Sequence, residues 1–561
     1  MPEVEIMAAL TGILTGIDTS VLITDEMTAY KAPITRLTTE KSAWQSKSKA
    51  VDDISSRITS LDTLLETMRD SSKLQASTAI SSKTDVLTTR ATSAASVGSH
   101  TVEVNRLATA ERKVHSGAAA SDSLVGEGAF VYTYNGTTRT VYTSATTTLS
   151  GLSDLINNDS GNAGVSASLL QYDAGNGQVY HLVLSGKNSG SSYGVTIDDA
   201  TTLNGSNGTM DFSQSTFTTT QTAQDAQIRV DGYPDGNWIT RDSNSISDVI
   251  AGVTFTLQSV GSATVTVSQN TDSLKTNMSN LVAIYNGIIT QVGTYTGYNA
   301  ETKVGGLLQG DSIINMLVDP IRSAFTTNAK GFTSENDSFT MAAQVGLTLD
   351  KDGKLLLDET VFSEAVSKDY SGVLRLMGAI GKGNSDNAQV QFNSADAKTT
   401  AGQYNVKITY DAAGTAQAWI KQTSDTEWRE MNVTGSTITG KVDNAEQGLS
   451  LTGVWDSGRG AYTAYATINV QQGLAGKMYE ATQAILDPTT GTIKTRKDQY
   501  DSAIAAIDRN IETKQRMADN KEAALKAKYA RMEALLSELE SLKGTISAMT
   551  TSLDSNSNDD D

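Results

Sequence analysis

Lys521-Glu-Ala-Ala-Leu525-Lys-Ala-Lys-Tyr-Ala-Arg-Met532-Glu-Ala-Leu535-Leu-Ser-Glu-Leu539 belongs to the row of side chains that decides the architecture. Counted in sevens, the C-terminal stretch reads Ile504, Ile511, Ala518, Leu525, Met532, Leu539, Ile546 and Leu553, with no polar residue among them. A second row three residues on reads Ile507, Lys514, Lys521, Lys528, Leu535, Leu542 and Met549. Apolar residues at this 3-4 spacing make a narrow seam on an α-helix, too thin to bury against a globular core. No proline interrupts Lys494–Leu553, and good helix formers dominate it. At ~1.5 Å per residue the rod is roughly 90 Å long, and it needs partner helices to cover its seam. Three lysines at mid-seam would repel one another if buried together. That zone is expected to be open to water or paired with acids on a partner.

A partner of the same kind lies at the other end of the chain. Trp44, Val51, Ile58 and Leu65 repeat by seven, as do Ile54, Leu61 and Met68. The run opens at Ala32-Pro33, proline being tolerated in a first helical turn. The expectation is an α+β multidomain chain. Long terminal coiled-coil helices form a stalk or leg with a helical bundle and carry inserted antiparallel β domains. Amphipathic helices of an ordinary bundle are the competing reading, and sustained heptads weigh against it.

Composition narrows the function classes. Ser, Thr, Gly and Asn are abundant, and Pro is rare, with 5 in 561 residues, which points to folded β-rich domains between the helical ends. A formal net charge of −19 repels phosphate backbones, so nucleic acid is not an expected partner. The chain has no cysteine, which removes disulfides, thiol nucleophiles and thiolate metal sites. No segment approaches the ~20 apolar residues that span a bilayer, so no membrane partner is expected. Met1–Val21 lacks the basic start of a cleaved signal peptide.

Along the chain, residues 1–30 read as a flexible leader and 31–75 as the N-terminal coiled-coil helix. Near Ala79 the period changes to 2, and Thr101-Val-Glu-Val-Asn105 alternates cleanly. Residues 76–120 with 222–270 make a first β domain, with 121–221 an inserted β domain whose Asn135-Gly136 and Asn176-Gly177 pairs are hairpin signals. Residues 271–385 are a helical and hairpin part of the stalk. Residues 386–470 are an additional β domain similar to the first, because Ala401-Gly-Gln-Tyr-Asn-Val-Lys-Ile-Thr409 has the layout of Val97-Gly-Ser-His-Thr-Val-Glu-Val-Asn105. Residues 471–553 form the C-terminal coiled-coil helices, and 554–561 an acidic disordered tail.

Several ordered stretches resemble the flagellar filament-capping proteins, the hook-associated protein 2 or FliD family. They are Gly16-Ile-Asp-Thr-Ser20, Ala32-Pro-Ile-Thr-Arg-Leu37, Thr101-Val-Glu-Val-Asn-Arg-Leu-Ala108, Asp225-Ala-Gln-Ile-Arg-Val-Asp-Gly232, Asp248-Val-Ile-Ala-Gly-Val-Thr-Phe-Thr-Leu257, Ala283-Ile-Tyr-Asn286 and Leu308-Gln-Gly-Asp-Ser312. The 386–470 insert departs from the shorter members. The resemblance implies an extracellular protein at the filament tip, exported by the flagellar type III apparatus without cleavage. Its implied partners are copies of itself (a pentamer, with four to six conceivable), flagellin, and an export chaperone on the C-terminal helix. Its implied role is to retain exported flagellin and promote its folding and polymerisation. A surface adhesin acting through tip-exposed β domains is the alternative, although no aromatic cluster suited to glycans is evident in the sequence.

A search for chemistry finds no enzyme, cofactor or metal site. His100, His115 and His181 are far apart in the chain and lack metal-ligand spacing. Gly190-Ser-Ser-Tyr-Gly194 matches G-x-S-x-G but is followed by a strand instead of a helix. Gly435–Lys441 lacks the Mg²⁺-binding hydroxyl of a P-loop, because Val442 follows the lysine. Thr348–Glu359 places Asp350, Asp352, Gly353 and Glu359 as in a calcium loop, but its first position is Thr348 and a β-turn is expected. A secreted hydrolase therefore has no triad or metal set to support it.

Overall fold

The computed structural model describes residues 19–173, 175 and 177–556, without the side chains of 207 and 553–556. Long terminal helices packed on each other, together with several antiparallel β domains, make an α+β multidomain architecture. The chain divides into two units. Ser72–Thr276 is one, and Met1–Ser71 with Asn277–Asp561 is the other.

In the unit Ser72–Thr276 the first β domain is a sandwich of two sheets. The five-stranded sheet runs in the order Ser77–Ser81, Gly261–Gln269, Gly98–Arg106, Ala226–Val230, Ile239–Arg241. The three-stranded sheet runs Leu87–Ala91, Val253–Leu257, Ser245–Ile250. Alternation along Gly98–Arg106 turns Val102 and Val104 inward, where they join Ile228, Phe255 and Val265.

A second β domain is inserted between Arg106 and Ala226. Its four-stranded sheet runs Phe217–Gln221, Arg112–His115, Tyr180–Gly186, Val165–Gln171. Its three-stranded sheet runs Thr137–Thr143, Gly128–Tyr134, Val195–Ile197, and the helix Leu149–Asn158 completes a core around Phe130, Tyr132, Leu152, Leu182 and Phe212. Asn135 and Gly136, both at positive φ (48° and 72°), turn the hairpin between Gly128–Tyr134 and Thr137–Thr143. The strand Arg112–His115, placed in the first β domain by the sequence reading, pairs instead with Tyr180–Gly186 and Phe217–Gln221. Its inward positions are Lys113 and His115, so no hydrophobic alternation marks it. Lys113 is buried because its Nζ reaches Glu111 Oε1 at 3.2 Å and Thr219 Oγ1 at 2.9 Å.

The other unit is built on the N-terminal helix, Thr19–Met68, and the C-terminal helix, Thr492–Asn556. The N-terminal helix does not open at Ala32-Pro33: it begins at Thr19 and carries Pro33 inside. An internal proline costs about 3 kcal/mol, and pairing with the C-terminal helix offsets it. Of the expected leader, residues 1–18 lie outside the described residues, while 19–30 are helical. The acidic tail also lies outside, apart from the backbone of 554–556, which continues the helix. Many Ser and Thr hydroxyls of the N-terminal helix donate back to the carbonyl four residues earlier, as Thr24, Thr38 and Thr59 do. Shorter helices pack alongside. Tyr285 meets Phe325 edge-on at 5.5 Å, and the Asn286 side chain makes two 2.8 Å hydrogen bonds with the Leu355 backbone.

This unit also carries a second sandwich. Its five-stranded sheet runs Lys382–Ser385, Tyr462–Gln471, Gly402–Tyr410, Ala416–Gln422, Arg429–Glu430. The facing sheet runs Val390–Ser394, Ser450–Gly453, Thr437–Thr439, Asn432–Thr434. Apart from the added strand Asn432–Thr434, the strands follow the first sandwich one for one, both along the chain and across the sheets. Where the first copy accepts a whole domain, the second makes a tight hairpin in which Asp411 Oδ1 accepts from Ala413 N at 2.9 Å and Thr415 N at 2.8 Å.

The end of this sandwich is seated on the loop that follows the helix Asp319–Thr326. Gln472 N donates to Lys330 O at 2.9 Å, and Gln471 Nε2 donates to Asp337 Oδ1 at 2.8 Å. Gly331, at φ 74°, lies so close to the Val470 carbonyl that a Cβ would overlap it. Gly331→Ala is therefore expected to destabilise the helical unit by about 1–3 kcal/mol, read as a lower thermal midpoint.

Candidate assembly interface

The two terminal helices pair antiparallel, as their ion pairs show. Asp52 meets Lys497, Lys41 meets Asp508 at 2.7 Å, Lys31 meets Glu522 at 3.7 Å, and Thr19 Oγ1 donates to Glu533 at 3.4 Å. One residue number rises as the other falls. The seam residues of the N-terminal helix, Val51, Ile54, Ile58, Leu61, Leu65 and Met68, are fully buried. Trp44 is half-buried against Tyr500, with ring centroids 5.6 Å apart. On the C-terminal helix Ile507 and Leu525 are buried, while Ile504 and Ile511 are half-buried. Met27 packs with Ala518 and Leu525, flanked by Ile23, Ile34 and Tyr529.

The three seam lysines separate. Lys514 and Lys528 are exposed, and Lys521 pairs with Glu26 at 3.0 Å. That carboxylate holds the Lys521 ammonium above its ordinary value.

Where the helix pair meets the bundle, Asp311 joins two elements, the C-terminal helix and the short helix Ser312–Asn315 that it caps. Tyr500 Oη donates to Asp311 Oδ2 at 2.7 Å, Arg496 Nε donates to the same oxygen at 2.7 Å, and Ile314 N donates to Oδ1 at 3.2 Å. Burial opposes the carboxylate charge, but the Tyr500 and Arg496 donors outweigh it and hold the Asp311 carboxyl below the usual range. Burial and the Asp311 contact push the Tyr500 phenol up to about 12. Periodicity gave no sign of this site, because Asp311 stands in a loop and its partners lie far away in sequence. The only available signal was an isolated acid before a short apolar run, the pattern of a helix N-cap.

Beyond Glu533 the seam continues uncovered. Leu535 is 61% exposed and Ile546 62%, and Met532, Leu539, Leu542 and Met549 are exposed with them. Leu553 falls on the helix, with its side chain outside the described residues. These large apolar residues recur at heptad spacing and are left bare on a long helix.

The sequence motifs fall elsewhere. His115 and His181, distant in the chain, come together, with His181 Nδ1 at 3.0 Å from the His115 carbonyl oxygen. Both are buried, and His115 stacks on Phe212 at 4.5 Å. Burial lowers the His115 pKa. His100 pairs with Asp231 at 2.8 Å. The serine of the G-x-S-x-G match, Ser192, lies in the single 3₁₀ turn Ser191–Tyr193, which its neighbour Ser191 opens by donating its hydroxyl to Asp225 at 2.9 Å. Gly435 turns a hairpin between Asn432–Thr434 and Thr437–Thr439. Asp350 caps the turn between Leu347–Leu349 and Leu355–Leu357 by accepting from Asp352 N and Lys354 N, each at 2.8 Å. Among the described residues no group of His, Asp and Glu is placed to hold a metal ion, and no helix is long and apolar enough to cross a membrane.

Two family models match this chain. Residues 15–111 match the flagellar hook-associated protein 2 N-terminus, and residues 223–541 match its C-terminus. The chain belongs to the flagellar hook-associated protein 2 family. The B-type member from Pseudomonas aeruginosa is 29% identical over 366 residues, covering 61% of this chain and 74% of its own length. The Escherichia coli K12 member is 28% identical over 422 residues, covering 70% and 84%. The crystal structure of the flagellar cap protein FliD D1-D2-D3 domains from Escherichia coli is 28% identical, covers 60% of this chain and 92% of its own, and has a TM-score of 0.49. As a member of this family the chain is a structural, extracellular component of the flagellar filament cap, not an enzyme. The two matched regions leave a gap that holds the inserted β domain, and they include the antiparallel helix pair as far as residue 541.

Asp311→Asn is expected to cost about 1.5–3 kcal/mol, the worth of hydrogen bonds to a charged group, seen as a lower midpoint when helix content is followed by circular dichroism. The folded-state carboxyl lies below its unfolded value, so its contribution is present above the ordinary carboxylate range and fades as pH falls below it. The difference between wild type and variant should therefore shrink in acid.

Proposed function

We propose that copies of this protein assemble at the filament tip, retain exported flagellin, and promote its folding and polymerisation. The uncovered seam from Met532 to Met549 carries this reading. It offers heptad-spaced apolar side chains to the terminal helices of flagellin, in the manner of a helix laid into a groove. Exposed Lys514 and Lys528 interrupt the neighbouring row, keeping each contact weak enough to release as the cap advances. The cap is a homo-oligomer, a pentamer by family resemblance with four to six copies conceivable, and the same helix is the docking site of an export chaperone. Export leaves the N-terminus uncleaved.

Deleting the gene should spill monomeric flagellin into the medium and leave filaments short or absent. Supplying Leu539→Asp with Leu542→Asp should leave the β domains folded and fail to restore filament length. Full restoration by this variant would remove the seam from the mechanism. Native mass measurement of the full-length protein gives the copy number.

A further inference from the structure

Most edge strands of the inserted β domain are closed against further pairing. Along Val165–Gln171 side chains meet the outward backbone. Asn157 Nδ2 donates to Ala167 O at 2.7 Å and its Oδ1 accepts from Ala167 N at 2.9 Å, and Asn162 makes the same two bonds with Val165 at 2.7 and 2.8 Å. On the short edge strand Val195–Ile197, Ile197 N donates to Gln214 Oε1 at 2.7 Å. The edge strand Phe217–Gln221 is interrupted by a register shift after Thr219. Covered backbone, short length and irregularity all keep an edge from templating another strand.

Thr137–Thr143 has none of these protections. It is an outer strand of the three-stranded sheet, 7 residues long, and pairs with Gly128–Tyr134 without a shift. The two-residue turn fixes its orientation. Thr137, Arg139, Val141 and Thr143 exchange hydrogen bonds with the neighbouring strand, so the N–H and C=O groups of Thr138, Thr140 and Tyr142 point outward. The neighbouring strand agrees: Val131 and Ala129, opposite Thr140 and Tyr142, direct their own N–H groups the other way, to Thr201 Oγ1 and Thr202 Oγ1. A groove of ≈ 590 Å³ opens between this edge and the helix Leu149–Asn158. Its far wall is one helix face, Gly151, Asp154, Leu155 and Asn158, at 3-4 spacing. Leu155 is 41% exposed and Tyr142 76%. Asp159, at the groove end, is neutralised by Arg139, whose Nε and Nη2 donate to it at 3.0 and 2.7 Å. The Asp154 carboxylate is exposed and has no cation beside it among the described residues.

We propose that this groove takes an extended segment of a partner protein, added as a fourth strand beside Thr137–Thr143 with a lysine or arginine against Asp154. Outward donors and acceptors at every second residue are matched by another extended backbone. Tyr142 and Leu155 offer apolar contact to alternate side chains of that segment, and one uncompensated carboxylate favours a cation. Backbone pairing makes few demands on sequence, so the site selects for extended shape and positive charge. It is independent of the helix seam.

The probe is a fluorescent peptide of alternating valine and lysine, about six residues to span the edge at ~3.4 Å each, titrated into the full-length protein and read by polarisation. It should bind, and about tenfold or more weakly once every backbone nitrogen is methylated or glutamate replaces lysine. Thr140→Pro removes an outward N–H at an edge position where proline is tolerated, and should weaken binding about tenfold. Asp154→Asn, an exposed change, should weaken binding and flatten its salt dependence. Both variants should keep the wild-type circular dichroism. No binding of the valine–lysine peptide, equal binding of the methylated one, or unchanged binding by Asp154→Asn overturns the proposal. So does a copy number altered by Thr140→Pro in native mass measurement, which would give the edge to a second copy of this chain. Filament length, which tests the cap reading, is not the readout, so the two can fail separately.

Discussion

Antiparallel pairing of the two terminal helices is the constraint on which the remaining structure depends. Once Asp52 is placed beside Lys497 and Thr19 beside Glu533, the chain between them must leave and return. Both sandwiches meet that demand in the same way. Ser77–Ser81 pairs with Gly261–Gln269, and Lys382–Ser385 pairs with Tyr462–Gln471, so each domain is entered and left through neighbouring strands. A domain closed in this manner interrupts its host at little loop-closure cost. The repetition of one topology at two places in the chain follows from a single solution to a single geometric demand.

The helix pair is not uniform along its length, and its gradation suits an assembly part. From Val51 to Met68 every seam residue is buried, first beside the C-terminal helix and then, beyond the Asp52–Lys497 pair, beside the helix Leu474–Leu486, whose Thr482 donates to Asp62 at 2.6 Å; each Val, Leu, Ile or Met contributes about 1.5–3 kcal/mol. Toward the far end the apolar contact narrows to Met27 against Ala518 and Leu525, with ion pairs on either side. Exposed ion pairs of this kind contribute ~1 kcal/mol or less each. Past Glu533 the C-terminal helix runs on with its apolar row uncovered. Burial is deepest at one end of the pair and a bare apolar row lies at the other, with the Asp311–Arg496–Tyr500 cluster where the pair joins the bundle.

Much of this was legible in the chain before any coordinates. Heptads at Trp44–Met68 and Ile504–Met549 gave both helices, because a 3.5-residue period has one common structural meaning. Alternation at Thr101–Asn105 and its echo at Ala401–Thr409 pointed to two similar β domains, and the two-sheet sandwich form of each came from the tertiary structure. The misreadings have physical causes. Pro33 looked like a helix start, since local propensity does not include the stabilisation that a partner helix confers. Arg112–His115 looked like the end of the first domain because its buried side chains are a lysine and a histidine satisfied by distant partners.

By itself the sequence determined the two long terminal helices and the β character of the domains between them, that the terminal helices need partners, and the family to which the chain belongs. Those properties rest on short-range periodicity and on residue patterns that survive in order. Tertiary structure alone decided that Asp311 holds Arg496 and Tyr500, and that the seam is covered as far as Leu525 and bare from Met532 onward. Each of those depends on register between segments far apart in the chain, and register is set by packing that no local pattern encodes.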